Sequence, residues 1–82
     1  MERIENELLS LFDEAYDKLY NNPRMDLSDA NRKRVEAFYE RMERDSAFQA
    51  LVYLFSIVRK DFISSDREAK AFMIAVEKFG QK

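Results

Sequence analysis

Residues 47–58 form an uncharged run, AFQALVYLFSIV, that constrains the fold more than any other part of the sequence. Ten of its twelve residues are apolar or aromatic, whereas all thirty charged side chains lie in the other seventy residues. A helix that is apolar on nearly every side has to be surrounded by other structure. The run is also too short to cross a bilayer, which needs about 20 residues. We therefore predict a central helix that the rest of the chain covers.

The composition predicts a single all-α domain covering residues 1–82. The chain has one Gly and one Pro, too few for an all-β protein with its frequent turns. Low Gly and Pro content beside abundant Ala, Leu, Glu, Lys and Arg is typical of helices joined by short loops. Apolar and aromatic residues make up 46% of the chain, which is enough material for the core of a domain of this length.

Apolar residues recur at three- and four-residue steps in four segments, and each segment predicts a helix. The four helices span about residues 4–20, 29–44, 47–60 and 66–79. The first, second and fourth each carry one apolar stripe, whereas the third contains the uncharged run and ends on Arg59 and Lys60. Short connections between such helices predict an antiparallel four-helix bundle, with the third helix at its centre and the other three stripes covering it.

Polar residues mark where these helices begin and end. Residues 23–27 are predicted to form a loop because Pro23 ends the first helix, and Gly80 is expected just after the fourth. A break between the second and third helices is favoured over one bent helix, since the apolar character changes abruptly there. The predicted N-terminal caps are Asp26 or Ser28 for the second helix, Ser46 with Gln49 for the third, and Ser65 with Glu68 for the fourth.

Aromatic residues dominate the predicted core. Tyrosine hydroxyls are expected at the core margin, facing water, and Tyr53 with one or two neighbours is the candidate for the exposed part of the third helix. A contiguous exposed apolar patch there would be a partner-binding site. In the connector, Phe62 and Ile63 are expected to fold back against the bundle. The predicted core aromatics are Phe12, Tyr16, Phe38, Phe48, Phe55, Phe62, Phe72 and Phe79.

The residue types present exclude most site chemistries. Without His or Cys the chain has no imidazole base, no thiol nucleophile and no His or thiolate metal ligand. Its single Gly excludes a glycine-rich phosphate loop, and residues 61–68 lack the acidic spacing and central Gly of a calcium loop. We predict a non-enzymatic protein with no cofactor. The absence of Cys, and an amino terminus, MERIENELL, that lacks a signal-peptide pattern, predict a cytoplasmic location.

Positive charge clusters in the second helix, where Arg32, Lys33 and Arg34 are consecutive. Successive helical residues point in different directions, and acidic residues are interleaved with the basic ones, so we interpret this helix as a solvated face. The net charge of −2 provides no general attraction to nucleic acid. Nucleic-acid binding through Arg32, Lys33, Arg34, Arg41 and Arg44 is the weaker alternative. The predicted partner-binding residues are Tyr53, Arg32, Lys33 and Arg41.

The order of these elements resembles that of the immunity proteins against pediocin-like (class IIa) bacteriocins. The resemblance lies in ELLSLFDEAYDKLY, in the NNPR that follows, and above all in FQALVYLFSIVRKDFISSDREAKAF. It implies a small cytosolic four-helix bundle without enzymatic activity, whose target is a bacteriocin-bound membrane permease. No residue here matches the segment with which that family recognises its bacteriocin, so no specificity residue is carried over. The chain is also acidic, whereas many members of the family are basic.

The resulting functional hypothesis is a small helical protein that acts by protein–protein interaction, with bacteriocin immunity as its specific form. The alternative is a phage- or plasmid-type helical regulator or adaptor that binds another protein. A homodimer formed through the third helix is compatible with both.

Overall fold

The computed structural model describes residues 2–81, with side chains from residue 4 onward. Five helices follow one another along the chain, and the described residues contain no strand. The all-α prediction is confirmed, and the four long helices lie within a few residues of their predicted positions. The helices are α1 Glu2–Asn21, α2 Pro23–Asp26, α3 Asp29–Arg44, α4 Ser46–Arg59 and α5 Asp66–Gly80.

The predicted loop at residues 23–27 is wrong, because most of it is the one-turn helix α2. Pro23 is its first residue, a position where the missing N–H is not needed and the fixed φ suits a helix. The Asn22 side chain caps this turn by accepting a hydrogen bond from the Met25 N–H at 3.3 Å. Buried Asn31 in α3 then donates to the Met25 carbonyl. A proline that ends one helix therefore also starts the next.

The predicted caps are correct for two of the three helices. Ser28 accepts from the Asn31 N–H at 3.2 Å, and Ser65 accepts from the Glu68 N–H at 3.2 Å. The predicted cap of α4 is wrong, because Asp45 performs this role. Its backbone is extended, and its carboxylate accepts from the Phe48 N–H at 3.1 Å. Asp45 also separates α3 from α4, which confirms the predicted break.

The C-terminal end of α5 also differs from its prediction. Gly80 was expected just beyond the helix, in the left-handed conformation that glycine favours. In the structure it is the last helical residue and has no positive φ, and Gln81 is the C-cap.

Helix α5, and not α4, lies at the centre of the protein, which corrects the sequence prediction. Residues 71–75 are five consecutive buried positions, whereas Tyr53 and Ile57 of α4 are more than half exposed. Helix α5 packs most extensively against α1 and then α3. Small, fully buried side chains, Ala15 of α1 and Ala69 and Ala75 of α5, allow the backbones to approach closely. The high apolar content of α4 therefore did not decide which helix is central.

Helices α1 and α5 run in opposite directions. The end of α1 lies beside the start of α5, because the ring centroid of Tyr20 is 5.9 Å from the guanidinium carbon of Arg67. Glu14, farther back in α1, forms an ion pair of 3.3 Å with Lys78 in the last turn of α5.

Helix α4 is attached to this centre by large aromatic side chains. The ring of Phe72 lies 5.1 Å from that of Phe55, and 5.8 Å from those of Phe48 and Phe38, centroid to centroid. Phe55 also contacts Phe12 at 5.1 Å. These tilted and edge-to-face arrangements are the ones aromatic rings prefer. One aromatic cluster, with Phe72 at its centre, therefore joins all four long helices.

The aromatic core prediction is correct for five phenylalanines and wrong for Phe62, which is 68% exposed. Tyr16 and Phe79 are half-buried and pack on the core. In the connector only Ile63 returns to the core. The chain leaves α4 through Lys60, whose left-handed backbone turns the connector so that Phe62 faces outward.

Lys60 is the one described non-glycine residue with a positive φ, at 62°. It completes a helix-ending turn in which the Asp61 N–H donates to the Ser56 carbonyl at 3.2 Å. A side chain in this conformation costs about 1 kcal/mol or more relative to glycine. We expect Lys60→Gly to be about 1 kcal/mol more stable than Lys60→Ala in urea unfolding. Both variants lose the lysine, so equal stabilities would show that this conformation carries no strain.

Candidate protein-binding surface on α4

An exposed stripe runs along α4 on the side that faces away from α5. Five residues, here named the α4 stripe, make it up, and each is exposed. The first four recur in steps of four, three and four residues, which places them in one row along α4, and Lys60, the left-handed C-cap, follows directly after the helix. Tyr53 and Ile57, 60% and 56% exposed, are its large apolar members. The residues of the α4 stripe are Ser46, Ala50, Tyr53, Ile57 and Lys60.

An open groove of about 630 Å³ lies beside the α4 stripe. A second, smaller groove adjoins it and shares Tyr53, Ser56 and Phe62 with it. Ser56, in the floor, is buried and donates its hydroxyl to the Val52 carbonyl at 2.9 Å. Because this hydroxyl is already satisfied, the floor behaves as an apolar surface. The larger groove is lined by Met42, Ser46, Gln49, Ala50, Val52, Tyr53, Ser56 and Phe62.

The fold covers only one side of a helix that is apolar on nearly every side. Phe48, Val52 and Phe55 point inward and are buried. The opposite side, with Tyr53 and Ile57, has no neighbouring helix over it. Phe62 of the connector extends the same exposed surface. A contiguous apolar surface of this kind marks an interaction site more often than scattered single residues do.

An ion pair fixes the connector that carries Phe62. The Arg59 guanidinium, at the end of α4, binds the Glu68 carboxylate in the first turn of α5. Glu68 also accepts from the Ser64 N–H at 3.2 Å and from the Ser64 and Ser65 hydroxyls at 3.1 Å. Only 16% of the Arg59 side chain and 12% of the Glu68 side chain are exposed. Phe62 is thus held on a fixed turn.

The pKa of Glu68 lies below its ordinary value. Burial by itself raises the pKa, but the hydrogen bonds from Arg59 and the Ser64 N–H outweigh that effect. The Arg59 guanidinium also lies 4.9 Å from the centroid of Phe12, so its planar group packs against the aromatic cluster. The carboxylate is therefore kept ionised by structural contacts, and it holds two helices together.

Asp26 plays a similar part between α2 and the start of α5. Its carboxylate, in α2, binds Lys70 and Arg67 of α5, each at 3.2 Å. Burial opposes ionisation of Asp26, yet the two cations lower its pKa overall. Its backbone carbonyl also accepts from Lys70 at 2.9 Å. Its carboxylate contacts therefore join α2 to α5.

The structure does not bring the four sequence-predicted partner residues together. Tyr53 lies in the α4 stripe. Arg32 lines a groove between α3 and the start of α5, and Lys33 lines another beside Glu77. Both are exposed, and neither forms an ion pair with another described residue. Arg41 is half-buried, 3.5 Å from Asp45 and 4.2 Å from the Phe48 ring centroid, so its contacts serve the junction of α3 and α4.

The other two arginines of α3 also have acidic neighbours. Arg34 binds Glu77 at 3.0 Å, and Arg44 lies 3.5 Å from Glu40. Of the five basic residues proposed for nucleic-acid binding, three are thus beside a carboxylate. The arrangement offers no row of unpaired cations along α3.

Sequence reasoning missed two of the three large apolar residues of the exposed surface, Ile57 and Phe62. Ile57 follows Tyr53 by four residues and so shares its face, a signal that was available in the spacing. Phe62 gave no such signal, because its exposure depends on the left-handed turn at Lys60. Among residues 2–81, no cluster of acidic side chains is arranged to hold a metal ion.

None of the helices in the described part of the chain has the length and apolarity needed to cross a membrane. Comparisons with protein-family models, with curated proteins and with solved structures find no match for this chain.

Proposed function

We propose that this chain is a non-enzymatic, cytoplasmic protein whose long helices form an antiparallel bundle and which acts by binding another protein through α4. The observation that carries the proposal is the continuous exposed apolar surface made by the α4 stripe and Phe62. The surface contains two aromatic side chains and one β-branched side chain. Aromatic residues of this kind supply much of the binding energy at protein interfaces.

The chemistry of the surface defines the partner it fits. From Ser46 to Val58 the helix carries no charge, so the centre of the partner surface should be apolar and uncharged. The groove beside Tyr53 is open and runs beside α4, which suits an amphipathic helix laid along it. Charged groups of the partner are better placed at the ends of α4, where Asp45 and Lys60 lie.

The resemblance to immunity proteins gives this proposal its most specific form. In that form the partner is a bacteriocin-bound membrane permease, and expression of the chain protects a sensitive strain. If the strain that expresses the chain stays as sensitive to a panel of pediocin-like bacteriocins as before, the immunity hypothesis is excluded. A role as a regulator or adaptor would then remain. The binding surface is the same in both cases, so one set of variants tests either.

We expect affinity capture from a native lysate to recover a partner that depends on Tyr53. Tyr53→Asp places a charge in the centre of the surface and should weaken binding by about 2 kcal/mol, or roughly thirtyfold. Tyr20→Asp is the matched control, since Tyr20 is a similarly exposed tyrosine that belongs to α1 and not to the α4 stripe. Quantitative mass spectrometry of the captured proteins measures the loss. A partner retained equally by both variants, or no reproducible partner, would contradict the proposal.

A further inference from the structure

We draw no further inference here: the strongest candidate, the exposed apolar surface formed by the α4 stripe and Phe62, carries nothing beyond the proposed function, because nothing in the structure shows what covers it.

Discussion

Replacing Phe72 with alanine is expected to lower the free energy of unfolding by about 3–5 kcal/mol. Phe72 is fully buried in the central helix, and its ring contacts Phe38, Phe48 and Phe55. Truncation would leave a cavity where α5 meets the rings of α3 and α4, and these rings can refill it only in part. Urea unfolding followed by circular dichroism measures the change.

The size of this effect is large relative to the whole stability of the domain. A chain of this length is stable by about 4–12 kcal/mol, from the usual range per residue. Phe72→Ala should therefore unfold a detectable fraction of the protein at room temperature or move its thermal midpoint down strongly. If the loss were under about 1 kcal/mol, Phe72 could not be the centre of the core.

Phe62→Ala is the matched control for this experiment. It deletes the same side chain from a residue that is 68% exposed, so we expect a change within about 0.5 kcal/mol. Comparing the two substitutions tests the structure, which buries only Phe72, against the sequence prediction, which places both residues in the core. Similar losses from both would favour that prediction. A Phe62→Ala variant with unchanged stability and weaker partner binding would favour an exposed Phe62 that contributes to the binding surface beside the α4 stripe.

Replacing Glu68 with glutamine is expected to give the second largest loss, about 2–4 kcal/mol at neutral pH. The substitution keeps the shape of the side chain but removes its charge. Arg59, which is only 16% exposed, would then hold a nearly buried cation without an anionic partner at that site. Its remaining acidic neighbour, Asp61, lies 3.7 Å away and is largely exposed. Chemical unfolding of both proteins measures the difference.

The pH dependence of this difference has a defined sign. The pKa of Glu68 in the folded state lies below its ordinary value of 4.5. Its stabilising contribution is therefore complete above the unfolded-state pKa and is lost as the pH falls through the lower, folded-state pKa. We expect the stability gap between wild type and Glu68→Gln to be constant near neutrality and to close in acid. A stability difference that widened in acid would contradict a stabilising role for the ionised Glu68 carboxylate.

Glu77→Gln provides the control, because Glu77 is another glutamate of α5 bound to an arginine. Its side chain is 45% exposed and that of Arg34 is 27% exposed, so solvent screens the pair. We expect a loss of at most about 1 kcal/mol. Equal losses at the two positions would mean that burial does not distinguish these ion pairs.

The extent of the helices could be predicted because it depends on local patterns. The three- and four-residue spacing located α1, α3 and α5, and the caps at Ser28 and Ser65 depend on hydrogen bonds over three residues. The short helix α2 escaped prediction for a related reason. Proline stops a preceding helix and also starts a new one, so Pro23 alone does not distinguish a loop from a turn of helix.

The candidate site could be predicted only in part. Tyr53 was expected on the surface because a tyrosine hydroxyl prefers water, and the structure exposes it. Arg32, Lys33 and Arg41 were chosen for their charge, and they lie in separate surroundings. No rule of spacing indicated that Phe62 would face outward, since its direction follows from one left-handed residue, Lys60.

The uncharged run at residues 47–58 determined by itself that one helix would be apolar nearly all round and would need a neighbour. Only the tertiary structure decided that its neighbours cover one side. A helix with apolar residues on every face contains no pattern that selects the face to be buried. That choice was made by α5, whose alanines approach α1 closely while Phe72 holds the aromatic cluster on one side of α4. Tyr53 and Ile57 were left on the other side.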